Sequence, residues 1–191
     1  LIDNHDIDPD NCGIHGESWG GFVALHTAGT QDGWKVINPS VPIAHAKKWR
    51  EHWVTPGTTT ITWDYYFGGS PADKPEVWEE CDPINTAPNV SAVLRFEIPE
   101  DGDSRTPVEQ VRDYVEALKA AGKQEGQDFH IHTGRGGHAA FSQSPAAAAS
   151  RRDFFASHLL PPPGGTVKRA ARRTPDHKYH HARRRQRGVR F

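Results

Sequence analysis

The stretch Cys12-Gly13-Ile14-His15-Gly16-Glu17-Ser18-Trp19-Gly20-Gly21-Phe22 decides the fold. Its centre fits G-x-S-x-G, with Gly16 and Gly20 two residues either side of Ser18. Residues 12–15 read as a short strand. Residues 18–28 read as a helix, with Phe22, Val23, Leu25 and Ala28 at helical spacing and Gly29 as its stop. A strand that turns at once into a helix leaves the serine at the tip in a strained backbone conformation. The positions two before and two after the serine crowd each other, which calls for glycine at both. Ser18 Oγ then stands clear of the sheet. The helix N-terminus behind it offers N–H groups to a developing oxyanion, that of Trp19 first. Glycine and serine are common enough for such a pattern to arise by chance, so the strand before it and the helix after it carry the weight.

Outward from this turn the chain alternates. Residues 1–10 read as a helix end and a turn, with Asp8-Pro9-Asp10-Asn11 as the turn chemistry. Residues 34–38 read as a second strand stopped by Pro39. Residues 40–90 are irregular and hold Trp49, Trp53, Trp63, Tyr65, Tyr66, Phe67 and Trp78 among prolines and glycines. Residues 90–98 read as a third strand. Residues 107–121 form the clearest helix, with Val108, Val111, Val115 and Leu118 as its apolar stripe and Gly122 as its end. Residues 129–133 read as a fourth strand, and residues 145–159 as a final helix opened by Pro145. This order predicts a parallel sheet flanked by helices.

A serine on such a turn needs a histidine base and an acid that orients it, in the chain order serine, acid, histidine. Asp103 follows the third strand in Asp101-Gly102-Asp103-Ser104-Arg105-Thr106-Pro107, and His138 follows the fourth in Gly136-Gly137-His138. Both lie just past the C-terminal end of a strand, where open α/β sheets carry their sites. Asp101 competes with Asp103 for the acid's role.

Taken together these motifs resemble the catalytic domain of the prolyl oligopeptidase family. The run Asp8-Pro9-Asp10-Asn11-Cys12-Gly13-Ile14-His15-Gly16-Glu17-Ser18-Trp19-Gly20-Gly21-Phe22 is similar to that family's elbow. Tyr66-Phe67-Gly68 and Asp82-Pro83-Ile84-Asn85 are similar to its run between elbow and acid. Asp103-Ser104-Arg105-Thr106-Pro107-Val108-Glu109-Gln110 resembles its D-x-R-V-P-x-x-Q turn. Ala117-Leu118-Lys119-Ala120-Ala121-Gly122-Lys123 and Gly137-His138 complete the likeness, over roughly residues 1–160. The resemblance implies an α/β-hydrolase fold and a serine hydrolase that cleaves peptide or ester acyl bonds through an acyl-enzyme. It implies Ser18 as nucleophile, Asp103 as acid and His138 as base, with Asp103 preferred over Asp101 because it keeps the D-x-R-x-P register. Trp19 would supply an oxyanion donor and flank the substrate. Trp49, Trp53 and Tyr66 would line the substrate pocket, against the alternative that they simply pack under an irregular segment. No cofactor is implied. The strand end Arg95-Phe96-Glu97-Ile98-Pro99-Glu100-Asp101 departs from the family by being polar.

With 17 residues before Ser18, the chain reads as the C-terminal half of the hydrolase sheet, truncated at its N-terminus. The competing expectation is therefore a catalytically inactive remnant with a basic tail. Residues 168–191 hold ten Lys/Arg against Asp176 alone, a net +9, so residues 1–167 carry −10 of the whole chain's −1. Residues 1–160 read as the partial catalytic domain. Residues 161–191, opened by Pro161-Pro162-Pro163-Gly164-Gly165, read as a disordered basic extension. Without an aromatic stacking platform this extension is not expected to bind nucleic acid. His130 and His132 alternate along a strand, and His180 and His181 adjoin in the tail. None lies at metal-ligand spacing, so no metal is expected. Two cysteines, Cys12 and Cys81, fit a reduced cytoplasmic setting, though one disulfide would use both. No apolar run of about 18 residues offers a membrane span. The sequence leaves peptidase against esterase, and the oligomeric state, open.

Overall fold

A computed structural model of the chain describes residue 8, residues 10–54 and residues 62–161. The basic extension beyond 161 and the helix end before residue 8 lie outside the described residues. Four strands form one sheet in the order β1-β2-β3-β4: β1 Cys12–Glu17, β2 Trp34–Ser40, β3 Val93–Pro99 and β4 Phe129–Gly134. Every neighbouring pair is parallel. This is the helix-flanked parallel sheet of an α/β-hydrolase fold. Parallel neighbours need a crossover, and the chain supplies α1 (Trp19–Thr30) after β1 and α5 (Val108–Ala120) after β3.

Alternation along the strands gives the sheet two unlike faces. One face presents Ile14, Ile37, Leu94, Phe96 and Phe129. These meet Ala24, Leu25 and Ala28 of α1 and Val111, Tyr114, Val115 and Leu118 of α5 in a single apolar core. On the other face the register sets Glu17, Ser40, Glu97 and His132 abreast, with His15 beside Asn38 and Arg95 beside His130. Helix α7 (Pro145–Leu159) covers that polar face. Its Ser150 Oγ accepts from Arg95 Nη2 at 2.8 Å, and its Arg151 Nε lies 3.3 Å from Glu97 Oε1. Arg95 Nη1 pairs with the same Glu97 carboxylate, which is fully buried. The polar strand end seen in the sequence is therefore a buried ion cluster.

Three sequence readings are corrected. Gly29 does not stop α1, which runs on to Thr30. A Cβ at Gly29 would meet Thr86 Oγ1 at 2.2 Å, so the glycine serves a close approach to the 3₁₀ turn Pro83–Asn89. Pro39 does not stop β2, because it sits one residue from the strand's end, opposite Gly16, where a missing N–H interrupts little. The irregular stretch 40–90 holds short helices: α2 Ala46–Trp53, α3 Thr62–Phe67 and α4 Pro75–Cys81. Another short helix, α6 (Gly137–Ser142), follows β4. Cys12 and Cys81 are both free thiols. Among the described residues no helix is long and apolar enough to cross a membrane.

Candidate active site

Three strand ends build the site. At the end of β1, Ser18 caps α1 with φ 56° and ψ −114°, a backbone region that non-glycine residues rarely occupy. Its N–H donates to Ser40 O at 2.9 Å, which ties the turn to the end of β2. Trp19 opens α1, where helix geometry leaves its N–H without an intrahelical partner. A Cβ on Gly16 would lie 2.0 Å from Gly20 O, and one on Gly21 would lie 2.8 Å from Pro42. A Cβ on Gly20 would meet nothing within 4 Å. Of the two glycines expected from crowding, Gly16 is required and Gly20 is not; the required glycine after Ser18 is Gly21.

The end of β3 carries the acid turn. Asp103 Oδ1 accepts the backbone N–H groups of Arg105 at 2.8 Å and Thr106 at 2.9 Å. Its Oδ2 takes the Thr106 hydroxyl at 2.7 Å and His138 Nδ1 at 2.7 Å. Burial pushes the Asp103 carboxyl up, but the hydrogen bonds from His138, Thr106 and Arg105 outweigh it and hold it below the ordinary carboxylate range. Thr106 Oγ1 also lies 3.2 Å from His138 Nδ1 and 3.1 Å from Val41 O. Val41 has φ 39°, a strained value for a β-branched residue, directly beneath this pair. The other candidate acid, Asp101, does something else. Its carboxylate accepts the N–H of Gly136 at 2.9 Å and of Gly137 at 3.2 Å, and so holds the backbone of the loop that delivers His138. Gly136 and Gly137 both have positive φ, which that loop demands.

Asp103 and His138 are thus brought together from 35 residues apart. No hydrogen bond joins Ser18 Oγ to His138 among the described residues. The aromatic residues divide into two groups. Trp19 is partly exposed, edge-on to Trp63 at 4.7 Å and 5.8 Å from Tyr66, which is also exposed. Trp49 and Trp53 instead direct their indole N–H groups at Arg105 O, at 2.8 and 3.1 Å. Trp49 also lines a cleft of about 270 Å³ with Lys48, His52, Pro107, Glu109 and Gln110; Ser18, Asp103 and His138 do not border it.

Other residues that hold the site had no role assigned from sequence. Buried Gln110 accepts Ala44 N at 2.9 Å and donates to Pro42 O at 3.0 Å, locking the segment after β2 onto α5. The signal for it was its place in the D-x-R-x-P-x-x-Q register. Fully buried Asp82 accepts Ala46 N at 2.8 Å and Lys47 N at 3.0 Å, capping α2. Burial pushes its carboxyl up against the pull of those donors. Among the described residues no three His, Cys, Asp or Glu side chains are grouped to hold a metal ion.

The model of the prolyl oligopeptidase family matches residues 1–161. No curated protein matches. Among solved structures, an acylaminoacyl peptidase from Pyrococcus horikoshii is 23% identical with a TM-score of 0.64, over 84% of this chain and 26% of its own. A puromycin-hydrolyzing peptidase from Mycobacterium tuberculosis is 20% identical with a TM-score of 0.66, over 84% and 24%. Dipeptidyl peptidase 4 from Porphyromonas gingivalis is 18% identical with a TM-score of 0.64, over 80% and 20%. At these identities the likeness is one of fold. The chain spans only a fifth to a quarter of the length of these peptidases.

Proposed function

The chain belongs to the prolyl oligopeptidase family, and from that premise we propose that it carries the catalytic machinery of a serine hydrolase that cleaves peptide or ester acyl bonds. The observation that carries this reading is the 2.7 Å hydrogen bond between Asp103 and His138, which follow β3 and β4, together with strained Ser18 at the end of β1. His138 Nε2 takes the proton of Ser18 as Oγ attacks the acyl carbon. Asp103, bonded to Nδ1, fixes the imidazole tautomer and stabilises the imidazolium. The Trp19 N–H receives the developing oxyanion. His138 then protonates the leaving amine or alcohol. Water, deprotonated by the same imidazole, releases the acyl group from Ser18. The rings of Trp19 and Tyr66 flank the acyl portion of the substrate. No cofactor enters these steps. The same reading assigns residues 1–160 to the hydrolase unit and 161–191 to a basic extension.

A second reading is a remnant that keeps the residues without turnover. It is favoured by the missing hydrogen bond between Ser18 Oγ and His138, although such bonds often tighten only with substrate bound. Labelling of the 191-residue chain by a fluorophosphonate, beside Ser18→Ala and His138→Ala, separates the two. Labelling that vanishes in both variants is the expected result. A folded chain that takes no label is the remnant.

A further inference from the structure

We propose that Trp49 and Trp53 are positioning residues that clamp the acid turn, rather than walls of a substrate pocket. The inference rests on the serine-hydrolase reading above. The two indoles are four residues apart on α2 and so share one helix face. Both N–H groups converge on a single acceptor, Arg105 O, at 2.8 and 3.1 Å. A carbonyl oxygen has two lone pairs, and here both are taken by side chains of one helix. Between them in sequence, His52 brings Nε2 to 3.3 Å from Ser104 O.

What makes this more than packing is the peptide group that receives the clamp. The carbonyl of Arg105 and the N–H of Thr106 belong to one peptide unit. Its oxygen accepts the two indoles, and its N–H donates to Asp103 Oδ1 at 2.9 Å. Donors on the oxygen polarise the unit and strengthen its N–H as a donor. The clamp therefore acts on the acid through one peptide plane, setting both its place and the strength of the bond that holds it. Asp103 in turn orients His138.

The helix that carries the clamp is itself fixed. Asp82 caps its first turn, and Arg50 makes a double hydrogen bond to Asp64 of α3 at 2.7 and 2.6 Å. The Trp49 ring packs on fully buried Trp63 at 5.0 Å, and Trp63 meets Trp19. Donor, acceptor and support thus come from three segments that the fold brings into register.

Trp→Phe keeps a ring and removes only the N–H, so Trp49→Phe, Trp53→Phe and the double variant test the idea in the full chain. Two readouts are used. One is the rate and half-saturating concentration of fluorophosphonate labelling as a function of pH. The other is the downfield proton resonance of the His138 Nδ1–H bonded to Asp103, which does not require turnover. Each single variant leaves one donor and is expected to slow maximal labelling about twofold; the double variant should slow it about tenfold. The half-saturating concentration should stay unchanged. The resonance should weaken or move in the double variant, with an altered pH profile.

A double variant with wild-type rate, pH profile and resonance overturns the proposal. So does a rise in half-saturating concentration at unchanged maximal rate, which would make the rings pocket walls. If the double variant does not fold, the single variants decide: small rate losses with a shared shift of the resonance support the clamp, and wild-type behaviour in both overturns it. A wild-type chain that takes no label but shows the resonance, lost in the double variant, sinks the hydrolase reading and leaves the clamp standing. A wild-type chain with no resonance sinks the clamp.

Discussion

One methyl group separates Gly16 from alanine, and in this backbone it would sit 2.0 Å from the carbonyl oxygen of Gly20. Gly16→Ala and Gly21→Ala are expected to cost about 2 kcal/mol or more each through overpacking and to abolish labelling of Ser18. Gly20→Ala, whose Cβ points into open space, should keep both stability and labelling. Melting curves and probe labelling of the three variants check this. The motif was legible in the sequence as a symmetric pair of glycines. Its asymmetry was not, because it depends on the direction of each Cα–Cβ bond once the helix has started. The D-x-R-x-P register likewise singled out Asp103, while the part played by Asp101 became visible only with the loop at Gly136 in place. Asp103 also sets a pH dependence. Its folded carboxyl lies below its unfolded value of about 3.9, so its contribution to stability is fully present above that value and lost as pH falls through the folded one. Urea midpoints measured against pH should show Asp103→Asn with a flatter acid limb, and no change of slope above about pH 5.

At the scale of elements, α2 explains why part of the site escaped the sequence. It is eight residues long, too short for a clear helical period, and its N-cap residue His45 makes no side-chain cap. Its cap comes from Asp82, 36 residues on. Helix α6 hides for a similar reason: six residues behind a glycine pair read as loop. By contrast α5 and α7, longer and opened by Pro107 and by Ser144-Pro145, were read with correct ends to within a residue or so. Asp82→Ala is expected to destabilise the chain by about 1–2 kcal/mol, the usual worth of a helix cap. It should lower the melting temperature by roughly 2–8 °C in a domain of this size. Labelling of the folded fraction should slow as well, since α2 carries the donors to Arg105. A variant that melts and labels like the wild type would mean that α2 holds its place without its cap.

Across the whole molecule the order of the four strands and of α1, α5 and α7, and with it the parallel sheet, was legible in the spacing of apolar runs. The two-faced character of the sheet was not. Arg95 and Glu97 read only as a polar departure at a strand end, and Ser150 and Arg151, more than 50 residues later, are what bury them. Two guanidiniums there share one carboxylate, so Glu97→Ala should cost about 3–5 kcal/mol by leaving buried positive charge unpaired. Chemical denaturation measures it, and a loss under about 1 kcal/mol would show that water reaches the cluster.

The unlike faces of the sheet also imply unlike timescales of opening. Helix α5 is fastened by apolar burial, so its amide hydrogens should exchange with solvent deuterium only when the whole chain unfolds. Helix α7 is held by hydrogen bonds and ion pairs at its middle, around Ser150 and Arg151, with smaller apolar contacts through Ala147 and Phe155. It can lift as a unit while the α1–α5 side stays shut, and raised salt should hasten that lifting more than it hastens global unfolding. Deuterium uptake would then divide the protein into a slow half and a fast half along the plane of its own sheet.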